Sequence, residues 1–339
     1  MFREALLKIT EDCPCKCAFC DAHEKFSTLR KEELSDLEWI ELCEDLVKNN
    51  VEVVILSGGE ALLRESLIYK LIRLLSDHGV YVVLNTSGVL FNSPGKIDML
   101  LKNYPSLLVF SVDSCSESIH DSNRGINGLL QQVCDSISYI KSKGEFPVAI
   151  RTVITRSNYC QLPEIMTRFY KLGVDCIKFT HIEDDYSGDF LLSERELQEL
   201  KTGIKPELIL AMESFAFDNE QLRHENISKI NRLFCRENVT DIDYANSIFA
   251  PQMTGAQHCD LIERFITVQS NGEFLPCCEA EHHGWPSLGN FHEHNIRDIL
   301  KSDVYLDLLD NRQCYCMRCT EWDNFQIDLD TVCRKVSKR

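Results

Sequence analysis

The chain has 339 residues, 44% apolar and 26% charged, a composition typical of a folded globular protein. Its formal net charge of −17 disfavours nucleic acid as a partner and is compatible with a cationic substrate. The sequence has no recognisable signal peptide and no apolar run of membrane-spanning length, so we expect a cytoplasmic protein with no membrane partner.

Apolar runs predict six strands that alternate with helices through the first two-thirds of the chain. The predicted strands are Leu6–Ile9, Val53–Leu56, Val80–Leu84, Leu107–Val112, Pro147–Ile154 and Val174–Phe179. The predicted helices are Ser35–Asn49, Glu65–His78, Leu129–Lys143 and Pro163–Leu172, the first of which begins with a capping box. This pattern indicates parallel strands covered by helices, and it leaves a doubly wound sheet and a βα barrel equally open.

Four cysteines lie within eight residues directly after the first predicted strand. Cys13, Cys17 and Cys20 have the spacing C-x3-C-x2-C, and Phe19 directly precedes the last of them. Because a [4Fe–4S] cluster normally takes four thiolates, three would leave one iron open to a small molecule. A zinc site or buried thiols are the alternative interpretation.

This stretch resembles the C-x3-C-x-aromatic-C signature of radical S-adenosylmethionine (radical SAM) enzymes, and Cys15 has no counterpart in that signature. The resemblance implies an α/β fold with a partial (β/α)6 TIM-type barrel, whose chemistry lies at the carboxyl ends of the strands. It also implies that Cys13, Cys17 and Cys20 hold a [4Fe–4S] cluster that binds SAM. Reductive cleavage of SAM would yield a 5′-deoxyadenosyl radical that abstracts hydrogen from a C–H bond, with flavodoxin or ferredoxin as the external one-electron reductant.

The second predicted strand runs into Gly58, Gly59 and Glu60, which resemble the GGE motif of the same family. Two glycines allow the backbone to approach a ligand closely, and a carboxylate can accept hydrogen bonds from an ammonium group. The resemblance implies that this segment binds the amino group of SAM, and that Phe19 also belongs to the cofactor site.

The fourth predicted strand ends near Ser111 and Asp113, with Arg124 further along the chain. The stretch resembles one found in radical SAM subfamilies that carry an additional C-terminal cluster. The resemblance implies that Ser111 contacts the polar end of SAM and that Arg124 pairs with its carboxylate. A surface position remains open for Arg124, and Asp113 is a candidate catalytic residue that could meet substrate or ribose.

The last eighty residues contain a second set of cysteines around a predicted hairpin of Phe265–Val268 and Glu273–Leu275. The set is Cys259, Cys277, Cys316 and Cys319. Four thiolates suit an iron–sulfur cluster or zinc. The order resembles the twitch domain, half of a SPASM domain, which implies one auxiliary [4Fe–4S] cluster and two clusters in the chain. Cys278 or Cys314 could replace one of these ligands.

We therefore predict a radical SAM barrel over residues 1–212, a linker or lid over 213–258, and a twitch-like domain over 259–339. The acidic segment Glu183–Asp189 could attract a cation, although a solvated loop is the alternative. Cys235 is a candidate hydrogen donor in the predicted linker.

The sequence favours an oxidoreductase that acts on a small polar substrate such as an amino sugar or aminocyclitol. Only twelve residues precede Cys13, so we expect no peptide-binding domain ahead of the cluster loop. The alternatives are an epimerase that uses Cys235 as hydrogen donor and a maturase that modifies a peptide. A non-catalytic iron–sulfur or zinc protein is an alternative of another class.

Overall fold

A computed structural model of the chain describes residues 2–20, 32–182, 189–217, 219–232, 240–246, 261–278, 280, 284–311 and 325–328, the last segment as backbone only. The chain divides into two compact units. The first comprises Met1–Lys16, Cys20–Leu108 and Ala256–Tyr315, and the second comprises Cys17–Phe19, Val109–Gly255 and Cys316–Arg339. The boundaries 1–212, 213–258 and 259–339 stay a prediction.

Strands and helices alternate from the first strand to the sixth. Over the described residues, the strands are β1 (Glu4–Lys8), β2 (Val53–Ser57), β3 (Tyr81–Thr86), β4 (Leu107–Ser111), β5 (Val148–Ile154), β6 (Cys176–His181), β7 (Phe265–Val268), β8 (Glu273–Leu275), β9 (Gly289–Asn290) and β10 (Phe325–Asp328). The α-helices are α1 (Asp36–Lys48), α2 (Glu65–Asp77), α3 (Pro94–Leu101), α4 (Glu117–Arg124), α5 (Leu129–Ser142), α6 (Leu162–Lys171), α7 (Glu194–Glu199), α8 (Lys205–Glu213), α9 (Glu220–Arg232), α10 (Asp241–Ala245), α11 (Leu261–Arg264), α12 (Ile296–Ile299) and α13 (Asp303–Asn311).

The strands of the first unit are ordered β3-β2-β1-β7-β8-β9. β1 is parallel to β2 on one side and to β7 on the other, so it lies at the centre of this unit. Helices α1 and α2 pack against each other and bury apolar faces that include Trp39, Leu42 and Leu71. The strand residues Ala5, Leu7, Val54 and Leu56 are buried in the same unit. This core fixes the carboxyl ends of β1 and β2, from which the cysteine loop and the Gly-Gly-Glu segment emerge.

The predicted C-terminal hairpin is confirmed as the antiparallel pair β7 and β8, in which Thr267 lies opposite Leu275. Gly272 has φ 84° in the turn, a left-handed conformation that favours glycine. A Cβ atom at Gly272 would lie 3.1 Å from Leu34 Cδ2, so the turn is also closely packed. The hairpin leads through Pro276 to Cys277.

The second unit orders its strands β4-β5-β6-β10. β5 and β6 are parallel, and β10 pairs antiparallel with β6. Helices α5 and α6 bury apolar faces that include Ile137 and Phe169. At the carboxyl end of β4, Val112 N donates to Arg151 O at 2.9 Å, which keeps this end paired to β5 just before Asp113.

The six predicted strands and four predicted helices are confirmed, with ends that differ by two residues or fewer. Helices α3 and α4 were not predicted from the sequence, and neither was α9, which lies inside the predicted linker or lid. The buried positions of α4 are His120, Asp121 and Arg124, so no apolar periodicity marks this helix. None of the helices in the described part of the chain is both long and apolar enough to cross a membrane.

Candidate metal centre

The cysteine loop begins where β1 ends, and its first residues are hydrogen-bonded to the segment that follows β2. Ile9 N donates to Ser57 O at 2.9 Å. Gly59 N donates to Thr10 O at 2.7 Å, and Glu60 N donates to Asp12 O at 2.8 Å. The Gly-Gly-Glu segment therefore supports the start of the cysteine loop directly.

This close approach explains why two glycines are needed. A Cβ atom on Gly58 would lie 2.4 Å from Thr10 O, and one on Gly59 would lie 2.4 Å from Asp12 O. Gly58 also has φ 129°, which L-residues with side chains rarely adopt. The atoms nearest to these two positions belong to the backbone of the cysteine loop, and the close approach of the glycines to a ligand stays a prediction.

Two further side chains hold the start of the loop, and the sequence analysis missed both. Glu33 Oε1 accepts hydrogen bonds from Glu11 N at 2.7 Å and from Thr10 Oγ1 at 2.9 Å. Arg64 Nη1 donates to the carbonyl of Ile9 at 3.2 Å. No motif marks Glu33 or Arg64, because the loop atoms that they contact are distant from them in sequence.

Glu60 is 1% exposed and links the ends of β2 and β3. Its carboxylate accepts hydrogen bonds from Thr86 Oγ1 at 3.0 Å, Ser87 N at 2.9 Å and Ser87 Oγ at 2.6 Å. Burial raises the pKa of Glu60, although the hydrogen bonds from Ser87, Thr86 and Leu62 act in the opposite direction. The role of Glu60 in binding an ammonium group stays a prediction.

The thiols of the loop differ in exposure. Cys13 and Cys17 are partly exposed and Cys20 is exposed, whereas Cys15 is 2% exposed. The three thiols of the loop that reach its surface are therefore the ones in the spacing C-x3-C-x2-C. This donor set fits a [4Fe–4S] cluster with one open iron. Within the described residues, no three His, Cys, Asp or Glu side chains converge closely enough for a single metal ion.

In the second unit, Asp113 and Arg124 form a buried ion pair. Arg124 Nε donates to Asp113 Oδ2, and Arg124 Nη2 donates to Asp113 Oδ1, both at 2.7 Å. The side chain of Asp113 is 0% exposed and that of Arg124 is 10% exposed. Two parallel charge-assisted hydrogen bonds of this kind fix the plane of the guanidinium as well as its position.

The backbone of Asp113 is held on both sides. His120 Nδ1 accepts a hydrogen bond from Asp113 N at 3.1 Å, and Asn158 Nδ2 donates to Asp113 O at 2.8 Å. Burial lowers the pKa of His120 to about 4, so the ring is neutral and can accept at Nδ1. The catalytic role predicted for Asp113 stays a prediction, since both of its carboxylate oxygens accept from Arg124 here.

The third nitrogen of Arg124 faces the cysteine loop. Arg124 Nη1 lies 3.6 Å from Cys17 Sγ, and Arg124 Cζ lies 5.6 Å from the centroid of the Phe19 ring. The neighbouring Ala18 N donates to Asn123 O at 2.8 Å. The end of α4 is therefore attached to residues 17–19 through a side-chain contact, a cation–π contact and a backbone hydrogen bond.

The remaining predicted site residues fall into two groups. Ser111 is the last residue of β4 and is partly exposed. Cys277 follows β8 after Pro276 and is buried, and Cys278 beside it is partly exposed. The others lie outside the described residues, namely Cys235, Cys259, Cys314, Cys316, Cys319 and residues 183–188 of the acidic segment. The four-thiolate set of the C-terminal region therefore stays a prediction.

Two family models match the chain. The model described as the radical SAM superfamily matches residues 7–169, which contain the first set of cysteines. The SPASM model, described as an iron–sulfur cluster-binding domain, matches residues 259–320, which contain the second set. The predicted cofactors, SAM and [4Fe–4S] clusters, agree with these two matches.

Similar proteins extend these matches. Over 300 residues the chain is 24% identical to the PqqA peptide cyclase of Xanthomonas campestris pv. campestris, and the match covers 88% of this chain and 72% of that protein. It is 26% identical over 166 residues to the AdoMet-dependent heme synthase of Methanosarcina barkeri, and this match covers 49% of this chain and 46% of that protein.

The crystal structure of Streptococcus suis SuiB bound to S-adenosylmethionine has a TM-score of 0.65 and 16% sequence identity. The likeness covers 91% of this chain and 68% of SuiB. At this identity it establishes the fold, so the predicted α/β class with a partial barrel is confirmed, as is the C-terminal iron–sulfur domain.

Proposed function

We propose, from the premise that this chain belongs to the radical SAM superfamily and carries a SPASM iron–sulfur domain, that it modifies a peptide. The chain would cleave SAM reductively and abstract hydrogen from a C–H bond of that peptide. The observation that carries this proposal is the match to PqqA peptide cyclases, which covers 88% of the chain. The same match favours a peptide over the amino sugar or aminocyclitol that the sequence analysis preferred.

Cys13, Cys17 and Cys20 would hold the first cluster, because they have the spacing C-x3-C-x2-C and, unlike Cys15, reach the surface of the loop. When bound, the cluster supplies the electron that converts SAM into methionine and a 5′-deoxyadenosyl radical. Thr10 and Asp12, whose backbone packs against Gly58 and Gly59, would position the loop that carries those thiolates. The residues proposed to bind SAM are Phe19, Gly58, Gly59, Glu60, Ser111 and Arg124.

A second cluster would be held by thiolates of the C-terminal domain. The proposed ligands are Cys259, Cys277, Cys316 and Cys319, with Cys278 or Cys314 as replacements. An external one-electron reductant such as flavodoxin or ferredoxin would supply electrons. The hairpin β7–β8 supports this proposal, since its second strand ends two residues before Cys277.

Iron content and SAM cleavage test the assignment of the cofactors. Anaerobic reconstitution should give about eight irons per chain, roughly four from each cubane. Changing Cys13, Cys17 and Cys20 together to Ala should remove about half of the iron and abolish 5′-deoxyadenosine formation. The Cys15→Ala variant is the matched control and should keep both. Full iron content without 5′-deoxyadenosine formation in the unchanged protein would favour a non-catalytic iron–sulfur protein.

Isotope transfer tests the substrate class. A perdeuterated peptide fraction, purified from cells that produce the protein, should pass deuterium into 5′-deoxyadenosine when the reduced protein cleaves SAM. A panel of perdeuterated amino sugars and aminocyclitols should pass none. Transfer from the sugar panel alone would contradict the peptide proposal and leave the radical SAM chemistry intact.

A further inference from the structure

We propose that Arg124, held in place by Asp113, donates a hydrogen bond to the ligand sulfur of Cys17 and raises the reduction potential of the first cluster. This inference rests on the proposed function, because it requires a cluster on Cys17. It makes Arg124 and Asp113 positioning residues for the electron-transfer step. Neither the cysteine signature nor the Gly-Gly-Glu segment contains this pair.

The geometry of Arg124 leaves one direction for its third nitrogen. Nε and Nη2 both donate to Asp113 at 2.7 Å, which fixes the guanidinium plane. Nη1 then points toward Cys17 Sγ at 3.6 Å, within the longer range of hydrogen bonds to sulfur. The Phe19 ring lies 5.6 Å from Arg124 Cζ and covers the guanidinium. A lysine, which carries one ammonium group, has no planar fork with which to span Asp113 and Cys17.

The Asp113–Arg124 ion pair is preorganised, since its geometry is fixed without a bound cluster. His120 and Asn158 hold the two backbone polar groups of Asp113, and the Asp113 side chain is 0% exposed. A buried carboxylate with fixed backbone holds its guanidinium partner rigidly, so little ordering entropy remains to be lost at the sulfur. Such outer partners orient metal ligands and tune the metal that the ligands bind.

The sign of the effect follows from charge. A reduced cluster carries one more negative charge than an oxidised cluster, and part of that charge resides on the thiolate sulfurs. A charge-assisted donor at one sulfur therefore stabilises the reduced form more, and the potential rises. The cluster then accepts an electron from the external reductant more readily.

An alternative explanation uses charge alone, without a hydrogen bond. The Asp113–Arg124 pair has no net charge, so exchanging both residues for apolar ones leaves the total charge unchanged. The double variant Asp113→Leu/Arg124→Met thus removes the donor without leaving a buried unpaired charge. The variant Arg124→Lys keeps the positive charge and removes the planar fork.

The experiment is a potentiometric titration of the reconstituted protein, followed by EPR in the absence of SAM, so that the proposed contact of Arg124 with SAM does not contribute to the shift. The spectrum of the protein with Cys13, Cys17 and Cys20 changed to Ala is subtracted, so that only the first cluster is followed. We expect the one-electron equilibrium to shift toward the oxidised cluster by at least threefold, about 28 mV, in the double variant. The Arg124→Lys variant should shift in the same direction, and it carries the test alone if the double variant fails to fold.

The matched control is Glu220→Leu/Arg223→Met, which removes a pair in the same unit, 3.8 Å apart, with Glu220 exposed and Arg223 partly exposed. Its potential should equal that of the unchanged protein. A shift below threefold in both test variants, or a rise in potential, overturns the inference while leaving the proposed function intact. If no iron is lost when Cys13, Cys17 and Cys20 are replaced, the proposed function and this inference both fail.

Discussion

Gly59 is packed so closely against the cysteine loop that a single added carbon would collide with the loop backbone. A Cβ atom would lie 2.4 Å from Asp12 O and 2.8 Å from Glu11 O, both backbone atoms that cannot rotate away. We expect Gly59→Ala to lower the free energy of unfolding by about 3 kcal/mol. Because the displaced backbone leads into Cys13, the variant should also reconstitute with less iron. Denaturant unfolding and iron analysis measure the two effects.

Gly95 provides the control for that substitution. It lies in the first turn of α3, and a Cβ atom there would meet nothing within 4 Å. Gly95→Ala should leave iron content unchanged and should stabilise the protein by up to about 1 kcal/mol, because alanine is the better helix former. Equal effects at both glycines would show that close packing against the loop is not the cause.

His120 should remain neutral at pH values where an exposed histidine is charged. Burial lowers its pKa to about 4, against about 6.5 in an unfolded chain. Asp113 N donates to Nδ1, so the proton belongs on Nε2. An ¹⁵N spectrum of histidine-labelled protein, assigned with His120→Gln, should show this tautomer unchanged from pH 8 to pH 6.

The consequence for stability has a definite sign. Below about pH 6.5 the unfolded chain binds a proton that the folded His120 rejects, so acidification favours unfolding. The contribution of neutral His120 is complete above that pH and is lost as the pH falls toward 4. If the ¹⁵N spectrum showed His120 titrating near its ordinary pKa of about 6.5, the ring could not be the buried hydrogen-bond acceptor described here.

Sequence analysis identified Arg124 as a site residue but not its partner. The spacing between Asp113 and Arg124 is eleven residues, which matches no short motif for an ion pair. The two side chains meet because α4 folds back against the end of β4, where His120 Nδ1 accepts a hydrogen bond from Asp113 N and Arg124 reaches the Asp113 carboxylate. Such a contact depends on tertiary structure, so residue types and spacing could only nominate the two residues separately.

At the scale of elements, α1 depends on the capping box at its first turn. Ser35 Oγ accepts from Glu38 N at 3.3 Å, and Glu38 Oε2 accepts from Ser35 N at 2.8 Å. We expect Ser35→Ala to cost about 1 kcal/mol and to lower the thermal midpoint by about 2 °C. Ser116, which precedes α4 without a side-chain capping bond, is the control, and Ser116→Ala should cost less. Equal losses would contradict the capping role of Ser35.

The elements also explain which parts of the fold the sequence could predict. The central parallel strands are buried, so they appear as apolar runs, and their ends were predicted to within two residues. Helix α4 was missed because its buried face is made of His120, Asp121 and Arg124. Helix α9 likewise buries Asn226 between Leu222 and Ile230. Polar residues on a buried face remove the periodicity that reveals a helix, and in α4 these residues support the site.

At the scale of the whole molecule, the sequence predicted the cofactors better than the substrate. The cysteine and Gly-Gly-Glu motifs resemble cofactor-binding sequences, so they imply little about what lies beyond SAM. The preference for an amino sugar depended on the few residues before Cys13, whereas the match to peptide cyclases covers 88% of the chain. Substrate class depends on surfaces that carry no comparable motif.

The fate of the substrate radical separates the remaining chemistries of the whole enzyme. Oxidation requires an acceptor for a second electron, a role that the proposed thiolates at Cys259, Cys277, Cys316 and Cys319 would give to the auxiliary cluster. Epimerisation instead requires a hydrogen donor such as Cys235. Thiol hydrogens exchange with solvent, so epimerisation in deuterated water should place one deuterium on the product carbon, and oxidation should place none.

We expect no deuterium at that carbon, because the C-terminal domain supplies four candidate thiolates for a cluster, whereas Cys235 has a single adjacent basic residue, Arg236, that could activate it. Mass spectrometry of the modified peptide measures the label. The Cys235→Ala variant is the companion measurement and should turn over at an unchanged rate. Deuterium in the product, together with a Cys235→Ala variant that cleaves SAM but releases no modified peptide, would instead establish an epimerase, since the radical would then be quenched by the exchangeable thiol hydrogen.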